Sequence, residues 1–428
     1  MSTGTLVAVG SVDFESAVLT AASTGGLHVV RRCVDVADLL ATAATRQAEI
    51  VLVSTALGGL DTEVLARLRE ERVAAVGVVA DEGSADADLL RRLGVDAILS
   101  VSRLDGLPDL VARTLKKGPT LDPTAAGTPD AVDGSGDLDA SGGTSAGKVV
   151  AVWGPTGAPG RSVVTLGLAS VFSHLGLSTM VVDADVYGGA QAQMLGLLDE
   201  SSGLLAAARA ANRGRLDGDQ LAAHARAISP TLRVLSGLPR SDRWVELSPV
   251  LLRRILETAR TLCAVTLLDC GFCVELDEEV SYDVSAPRRN GATLTALEQA
   301  DAVLVVGSAD PVGLGRLLRA LADLAVQAPD VAPRVVVNRV RPSLGWSNDD
   351  VSSFVRRTSH VDVEMFLPDD PAACDRALVQ GQSLTECAPG SKLARSLDRL
   401  ATSLARDLGL SVAPAEPVAG RRRAPARH

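Results

Sequence analysis

Short aliphatic runs alternate with amphipathic stretches along this chain, and one polar segment interrupts the alternation. Before the interruption, residues 5–9, 27–31, 49–54, 74–80 and 96–100 read as strands. Helical patterns lie at 36–45, 61–71, 86–93 and 107–117. Five such βα units predict a flavodoxin-like doubly wound sheet over residues 1–117. Residues 118–147 are rich in Gly, Ser, Thr, Asp and Pro and lack an apolar period, which predicts a flexible linker. The alternation resumes at Lys148. Strands are expected at 148–153, 179–183, 232–236, 264–269, 302–307, 334–338 and 361–367. An amphipathic helix is expected at 160–175, and further helices at 204–212, 217–229, 249–262 and 393–408. The chain is therefore an α/β protein with two domains, the second a mostly parallel sheet with helices on both faces over 148–410. Aromatic residues are only 2% of the chain, so both cores must be aliphatic, as suits parallel sheets covered on both sides.

The net charge of −10 argues against a broadly basic nucleic-acid surface. The exception is residues 411–428, where Pro414 and Pro417 precede Arg421, Arg422, Arg423 and Arg427. This segment reads as a disordered, solvated basic tail, with attraction to an anionic membrane or nucleic acid as the alternative. Six scattered cysteines include Cys270 and Cys273 as a CxxC, but no second pair or His pair completes metal-ligand spacing. They read as ordinary thiols. No run of 18 apolar residues and no secretion signal is evident, so a cytoplasmic protein is expected.

The chemistry concentrates after residue 148. A strand ending at Trp153 leads into Gly154-Pro155-Thr156-Gly157-Ala158-Pro159-Gly160-Arg161-Ser162-Val163 and then a helix. A phosphate loop works because backbone N–H groups converge at a helix N-terminus, a Lys reaches the β and γ phosphates, and a Ser or Thr holds Mg²⁺. The context fits, although Pro155 stands at the first Gly position and Arg161 at the Lys position. Arginine keeps the charge but has a bulkier, planar head. Two further strand ends carry acids: Asp183-Ala184-Asp185, and Asp269 followed by Cys270-Gly271. In α/β sheets ligands bind at such carboxyl ends, and Asp269 has the form of a Walker B carboxylate acting on Mg²⁺ through water. Each Asp alone is more often a helix cap or loop residue. The three in this order favour a nucleotide site.

On these motifs residues 148–408 resemble the MinD/ParA family of deviant-Walker ATPases, and within it the CpaE/TadZ-like members that join such a domain to a degenerate receiver. The family loop reads Lys-Gly-Gly-x-Gly-Lys-Thr. Its signature Lys, which reaches across a dimer, falls at Thr156 here, and its second Lys at Arg161. The resemblance implies ATP and Mg²⁺ as ligands. It also implies nucleotide contacts from Gly157 through Val163, a water-positioning role for Asp185 beside Asp183, and metal contacts from Ser162 and Asp269. Asn338 matches the strand-end Asn that bonds adenine, and Pro368 the turn near the base. The first domain similarly resembles the receiver of response regulators. However, Ser54 stands where the phosphorylated Asp belongs, Ser102-Arg103 where the Lys belongs, and at most Asp13 remains of the acidic pair. Asp61 lies too far along to substitute. A pseudo-receiver serving protein contacts is expected.

The resemblance thus implies a localisation or scaffold protein that binds ATP weakly or statically and dimerises. It would position a Flp/Tad-type pilus or secretion apparatus, or the division septum. Its partners would be other proteins of that machinery, at a pole, the septum or the inner membrane surface. The alternative is an active MinD-like ATPase with Arg161 acting for Lys. A DNA-binding partition protein or response regulator is disfavoured by the acidic charge and by Ser54. Residues 272–290, with acids at 275 and 277–279, read as a mobile switch or partner loop, and 412–428 offers no amphipathic membrane helix.

Overall fold

The computed structural model describes residues 3–10, 12–117, 146–197, 201–275 and 288–411. Nearly all of the expected linker (118–145), most of the expected switch loop (276–287) and the expected basic tail (412–428) lie outside the described residues.

In the first domain, strands β1 (Gly4–Ala8), β2 (His28–Arg32), β3 (Ile50–Val53), β4 (Ala74–Val79) and β5 (Ala97–Ser100) form one parallel sheet in the order β2-β1-β3-β4-β5. That is the flavodoxin-like order. The helices are α1 (Val12–Thr24), α2 (Val36–Ala43), α3 (Thr62–Glu70), α4 (Ala85–Leu93) and α5 (Leu107–Lys117). β1, β3 and β4 are buried along their whole length, so they are unbroken aliphatic runs rather than alternating ones. One face packs Leu39, Leu65, Leu68 and Leu90; the other packs Val18, Leu107 and Val111.

The second domain carries an eight-stranded sheet. Its strands are β6 (Lys148–Trp153), β7 (Thr179–Ala184), β8 (Arg226–Ala227), β9 (Leu232–Leu235), β10 (Val265–Cys270), β11 (Ala302–Ser308), β12 (Pro333–Val340) and β13 (Val363–Pro368). The order is β13-β12-β11-β6-β10-β7-β9-β8, and only the β8–β9 edge is antiparallel. From β6 the chain first builds outward through β7 and β9, returns to β10, then crosses to β11 on the other side. β6 is thus the topological switch point, and ligand sites form outside the carboxyl end of such a strand. Its helices are α6 (Arg161–His174), α7 (Gln191–Met194), α8 (Gly203–Asn212), α9 (Gly218–His224), α10 (Pro249–Leu262), α11 (Gly291–Gln299), α12 (Pro311–Gln327), α13 (Asn348–Ser359), α14 (Pro371–Gln380), α15 (Leu384–Cys387) and α16 (Lys392–Asp407).

Two sequence expectations need correction. The helix expected over 217–229 stops at His224, because Arg226 and Ala227 pair with Val234 and Arg233 as a sheet edge. The helix after the loop is not amphipathic: Val164 through Phe172 are all buried, because α16 covers the side away from the sheet. The fit there is close, since a Cβ on Gly167 would lie 2.6 Å from Leu397 Cδ1. Among the described residues no helix is long and apolar enough to cross a membrane.

The two domains meet through α3 and α4 against α8 and α10. Asp61 caps α3 with one carboxylate oxygen (2.9 Å from Val64 N) and accepts from Asn212 Nδ2 with the other, at 2.9 Å. Glu63 N donates to Asn212 Oδ1 (3.2 Å), Arg92 Nε to Gly214 O (2.8 Å) and Arg254 Nη2 to Arg92 O (3.3 Å).

Candidate nucleotide site

The loop between β6 and α6 takes a shape few sequences allow. Gly157 and Gly160 sit at φ +101 and +104, and Ala158 between them at φ +52. Left-handed backbone at consecutive positions turns N–H groups inward and costs a non-glycine residue of order 1 kcal/mol or more. Gly160 caps α6, whose first turn holds no acid, so the helix N-terminus presents uncompensated positive dipole. Asn338, at the end of β12, braces the loop from beneath. Its Nδ2 donates to Pro159 O at 2.8 Å and its Oδ1 accepts from Arg339 N. A side chain on Gly160 would have its Cβ 2.3 Å from that Nδ2. Asn338 therefore braces the loop through its amide nitrogen, while its amide oxygen is held by the next residue of β12.

Arg161 turns back on its own loop. Nη1 donates to Gly154 O and Pro155 O, both at 2.9 Å, and Nη2 lies 3.5 Å from Asp185 Oδ2. Asp185 also caps the following turn, accepting from Tyr187 N (2.9 Å) and Gly188 N (3.2 Å). Above this turn Tyr187 packs on Phe272 with centroids 4.8 Å apart, and the Arg289 guanidinium lies 4.2 Å from the Tyr187 ring.

The third partner is one that motif reading missed. Gln191, wholly buried at the start of α7, donates its side-chain amide to Asp269 Oδ2 (2.8 Å) and Ser162 O (3.2 Å). Its backbone N–H donates to Asp183 Oδ2 at 3.0 Å. It belongs to no recognised spacing; the only signal was a Gly-Gly-Ala-Gln turn following Asp-x-Asp.

Three carboxylates and one guanidinium are thus buried together, and hydrogen bonds do not saturate them. Asp183 Oδ1, Asp269 Oδ1, Gln191 Oε1 and Arg161 Nε all lack partners. Burial raises the Asp183 pKa well above the ordinary carboxylate range, and the neighbouring charges of Asp269 and Asp185 raise it further. Asp269 is pushed up to about 6, chiefly by burial, which Ser162, Gln191 and Arg161 only partly offset. Orphaned buried oxygens of this kind are costly unless a ligand or cation completes them. The donor set suits Mg²⁺ beside a phosphate: the Ser162 hydroxyl, the Asp269 carboxylate and oxygens only. Among the described residues no three acidic, His or Cys side chains are grouped to ligate a metal by themselves, so water and phosphate would supply the other ligands.

The structure brings Gly157 through Ser162, Asp183, Asp185, Asp269 and Asn338 to one place. Val163 instead faces Leu166, Met194 and Cys374. Pro368 ends β13, three strands from β6, and lines a separate groove with Phe366 and Arg395. The six cysteines are unpaired, and Cys273 accepts from Asn290 Nδ2.

No family profile matches the chain, and no curated protein sequence does. Solved structures do. A ParA family ATPase from Chlorobium tepidum TLS matches with a TM-score of 0.50 at 19% identity, covering 60% of this chain and 99% of that one. The septum site-determining protein MinD of Pyrococcus horikoshii OT3, complexed with Mg-ADP, matches at 0.48 and 16%, covering 61% and 98%. The Cyanothece McdA(D38A)-ATP complex matches at 0.47 and 14%, covering 63% and 100%. The first of these establishes the fold: the larger part of this chain has the MinD/ParA P-loop architecture.

Proposed function

We propose that this protein is a nucleotide-binding localisation factor of CpaE/TadZ type. It binds ATP·Mg²⁺ weakly or statically, dimerises, and positions a pilus or secretion apparatus or the division septum. The observation that carries the reading is Arg161. At the position where the family Lys reaches the phosphates, its guanidinium instead bonds two carbonyls of its own loop and faces Asp185. In this arrangement the loop, the α6 N-terminus, Ser162 and Asp269 bind phosphate and metal, while little positive charge is free to move onto a transferring phosphoryl group. Loss of such a clamp costs roughly two to four orders of magnitude in rate. Mg²⁺, when bound, neutralises phosphate charge and relieves the buried acids. Asp185 is held by two backbone N–H groups where the family places its water-positioning carboxylate.

The first domain supports the same reading as a receiver that takes no phosphate. Its Ser54 hydroxyl donates to Val9 O and accepts from Ala56 N, and Asp61 is committed to α3 and Asn212. Its proposed task is protein contact. Association with a membrane surface or with division proteins is part of the proposal, as MinD is found complexed with MinC in Aquifex aeolicus.

Calorimetric titration with ATP·Mg²⁺, followed by phosphate release on the same sample, decides between this reading and an active ATPase using Arg161. Binding without appreciable release supports the localisation factor. Steady turnover that Asp185→Ala abolishes would defeat it.

A further inference from the structure

We propose that Arg316 is a phosphate-binding residue, supplying from α12 of the same chain the positive charge that the loop lacks at Thr156. A Cβ built on Gly157 would lie 2.0 Å from Arg316 Nη1 and 3.2 Å from its Cζ, so the guanidinium rests against the bare backbone of the loop. Only glycine permits that approach, and Gly157 directly follows Thr156. Arg316 is half-buried, yet among the described residues no ion pair or hydrogen bond holds it. Two other half-buried arginines of the domain are paired, Arg334 with Glu364 and Asp407 and Arg260 with Asp301, whereas Arg253 on α10, like Arg316, has no such partner among the described residues. A charge partly withdrawn from water without a counter-ion is a cost that an anionic ligand removes.

Its surroundings say which part of a nucleotide it meets. Arg316 lines a cavity of about 280 Å³ with Pro155 and Thr156 on one side and Phe272 to Glu275 on the other. Those latter residues continue directly from β10 and Asp269, the strand end whose carboxylate would hold the metal of a bound ATP·Mg²⁺ through water. The cavity is therefore on the terminal-phosphate side of the loop, opposite the α6 side occupied by Val163. Glu275 and Asp323 also line it, as does Arg319, whose Nε donates to Gly315 O at 3.3 Å. Neither of these acids is within ion-pair distance of Arg316. With Arg161 tied to its own loop, Arg316 is the guanidinium available to a γ-phosphate.

This inference rests on the nucleotide-binding reading, and the test separates the two. Wild type, Arg316→Ala and Arg316→Lys are titrated calorimetrically with ATP·Mg²⁺ and with ADP·Mg²⁺, and each is melted without nucleotide. The expected result is a roughly ten- to hundredfold loss of ATP affinity in Arg316→Ala, the range for a charged hydrogen bond. ADP affinity and melting temperature should be nearly unchanged, and Arg316→Lys should keep most of the ATP preference. Wild-type binding with Arg316→Ala indistinguishable from it would overturn the inference alone. Equal losses for ATP and ADP with a lowered melting temperature would also overturn it, marking Arg316 as a support for the loop. A wild-type protein that binds neither nucleotide would overturn the nucleotide-binding reading as well.

Discussion

The two sheets end differently at their carboxyl edges. In the first domain, the groups at that edge satisfy one another: Ser54 bonds Val9 O and Ala56 N, Ser100 bonds Ala80 O, and Gly10 lies so close that a Cβ would sit 2.7 Å from Ala56 O. In the second domain, three carboxylates share a buried space with one arginine, and four polar atoms are left without partners. Both sheets are doubly wound and parallel apart from the β8–β9 edge, so the architecture is not what separates them. Side chains that complete each other close a site, whereas side chains that leave oxygens unpaired keep one open for a cation and an anion.

The contrast can be broken by substitution, and the largest effect is expected at the loop itself. Gly160→Val puts a β-branched residue at φ +104 with its Cβ 2.3 Å from Asn338 Nδ2. The combined backbone strain and overpacking should cost about 3 kcal/mol or more. Thermal denaturation should show this as a melting temperature lower by roughly 6 °C or more.

Next come two changes of opposite sign. Asp183→Asn replaces a carboxyl whose ionised form burial disfavours with a neutral amide, while keeping an oxygen to accept from Gln191 N. At pH 7 it should stabilise the metal-free protein by about 1–3 kcal/mol. The sign follows from the raised pKa of Asp183: ionising it costs more in the folded protein than in the unfolded chain. Wild-type stability therefore falls as pH climbs from near 4 through the raised native values, and below about pH 4 the variant's advantage should vanish. Chemical denaturation at pH 7 and pH 4 measures both points. Ser54→Ala makes the matching deletion in the first domain, where the Ser54 hydroxyl both donates and accepts. It should destabilise by about 1–2 kcal/mol by orphaning Val9 O and Ala56 N. A stabilising Ser54→Ala or a destabilising Asp183→Asn would erase the distinction between the edges.

The smallest effect is expected where the domains touch. Asn212→Ala removes the bonds to Asp61 and Glu63 and should cost about 1 kcal/mol. Hydrogen exchange should quicken in α3 and α8 while the sheets stay protected.

What the sequence disclosed follows the range of the interactions. The loop, Asp183, Asp185 and Asp269 were legible because strand, turn and acid are adjacent in sequence. Most strands of both sheets were legible because buried parallel strands are unbroken aliphatic runs. Gln191 was not, since its role depends on Ser162 and Asp269, 29 and 78 residues away. The same is true of Arg316, which meets Gly157 only because α12 packs on β11, the strand beside β6. β8 was hidden inside a helical pattern because only its partner β9 makes it a strand. Asp61 read as a misplaced acid, when its second oxygen belongs to Asn212 across the domain boundary. The bracing of the loop by Asn338 was likewise invisible, although the residue itself was singled out.

A metal and a phosphate completing the second edge would meet carboxylates whose pKa values burial has raised, and their binding should therefore displace protons. Calorimetric titration with ATP·Mg²⁺ at pH 6, repeated in buffers of different ionisation enthalpy, counts protons directly. With Asp269 near its pKa of about 6 and Asp183 also raised, binding should release a measurable fraction of a proton or more, and Asp183→Asn should reduce the number. Binding heats that do not depend on the buffer would contradict the claim.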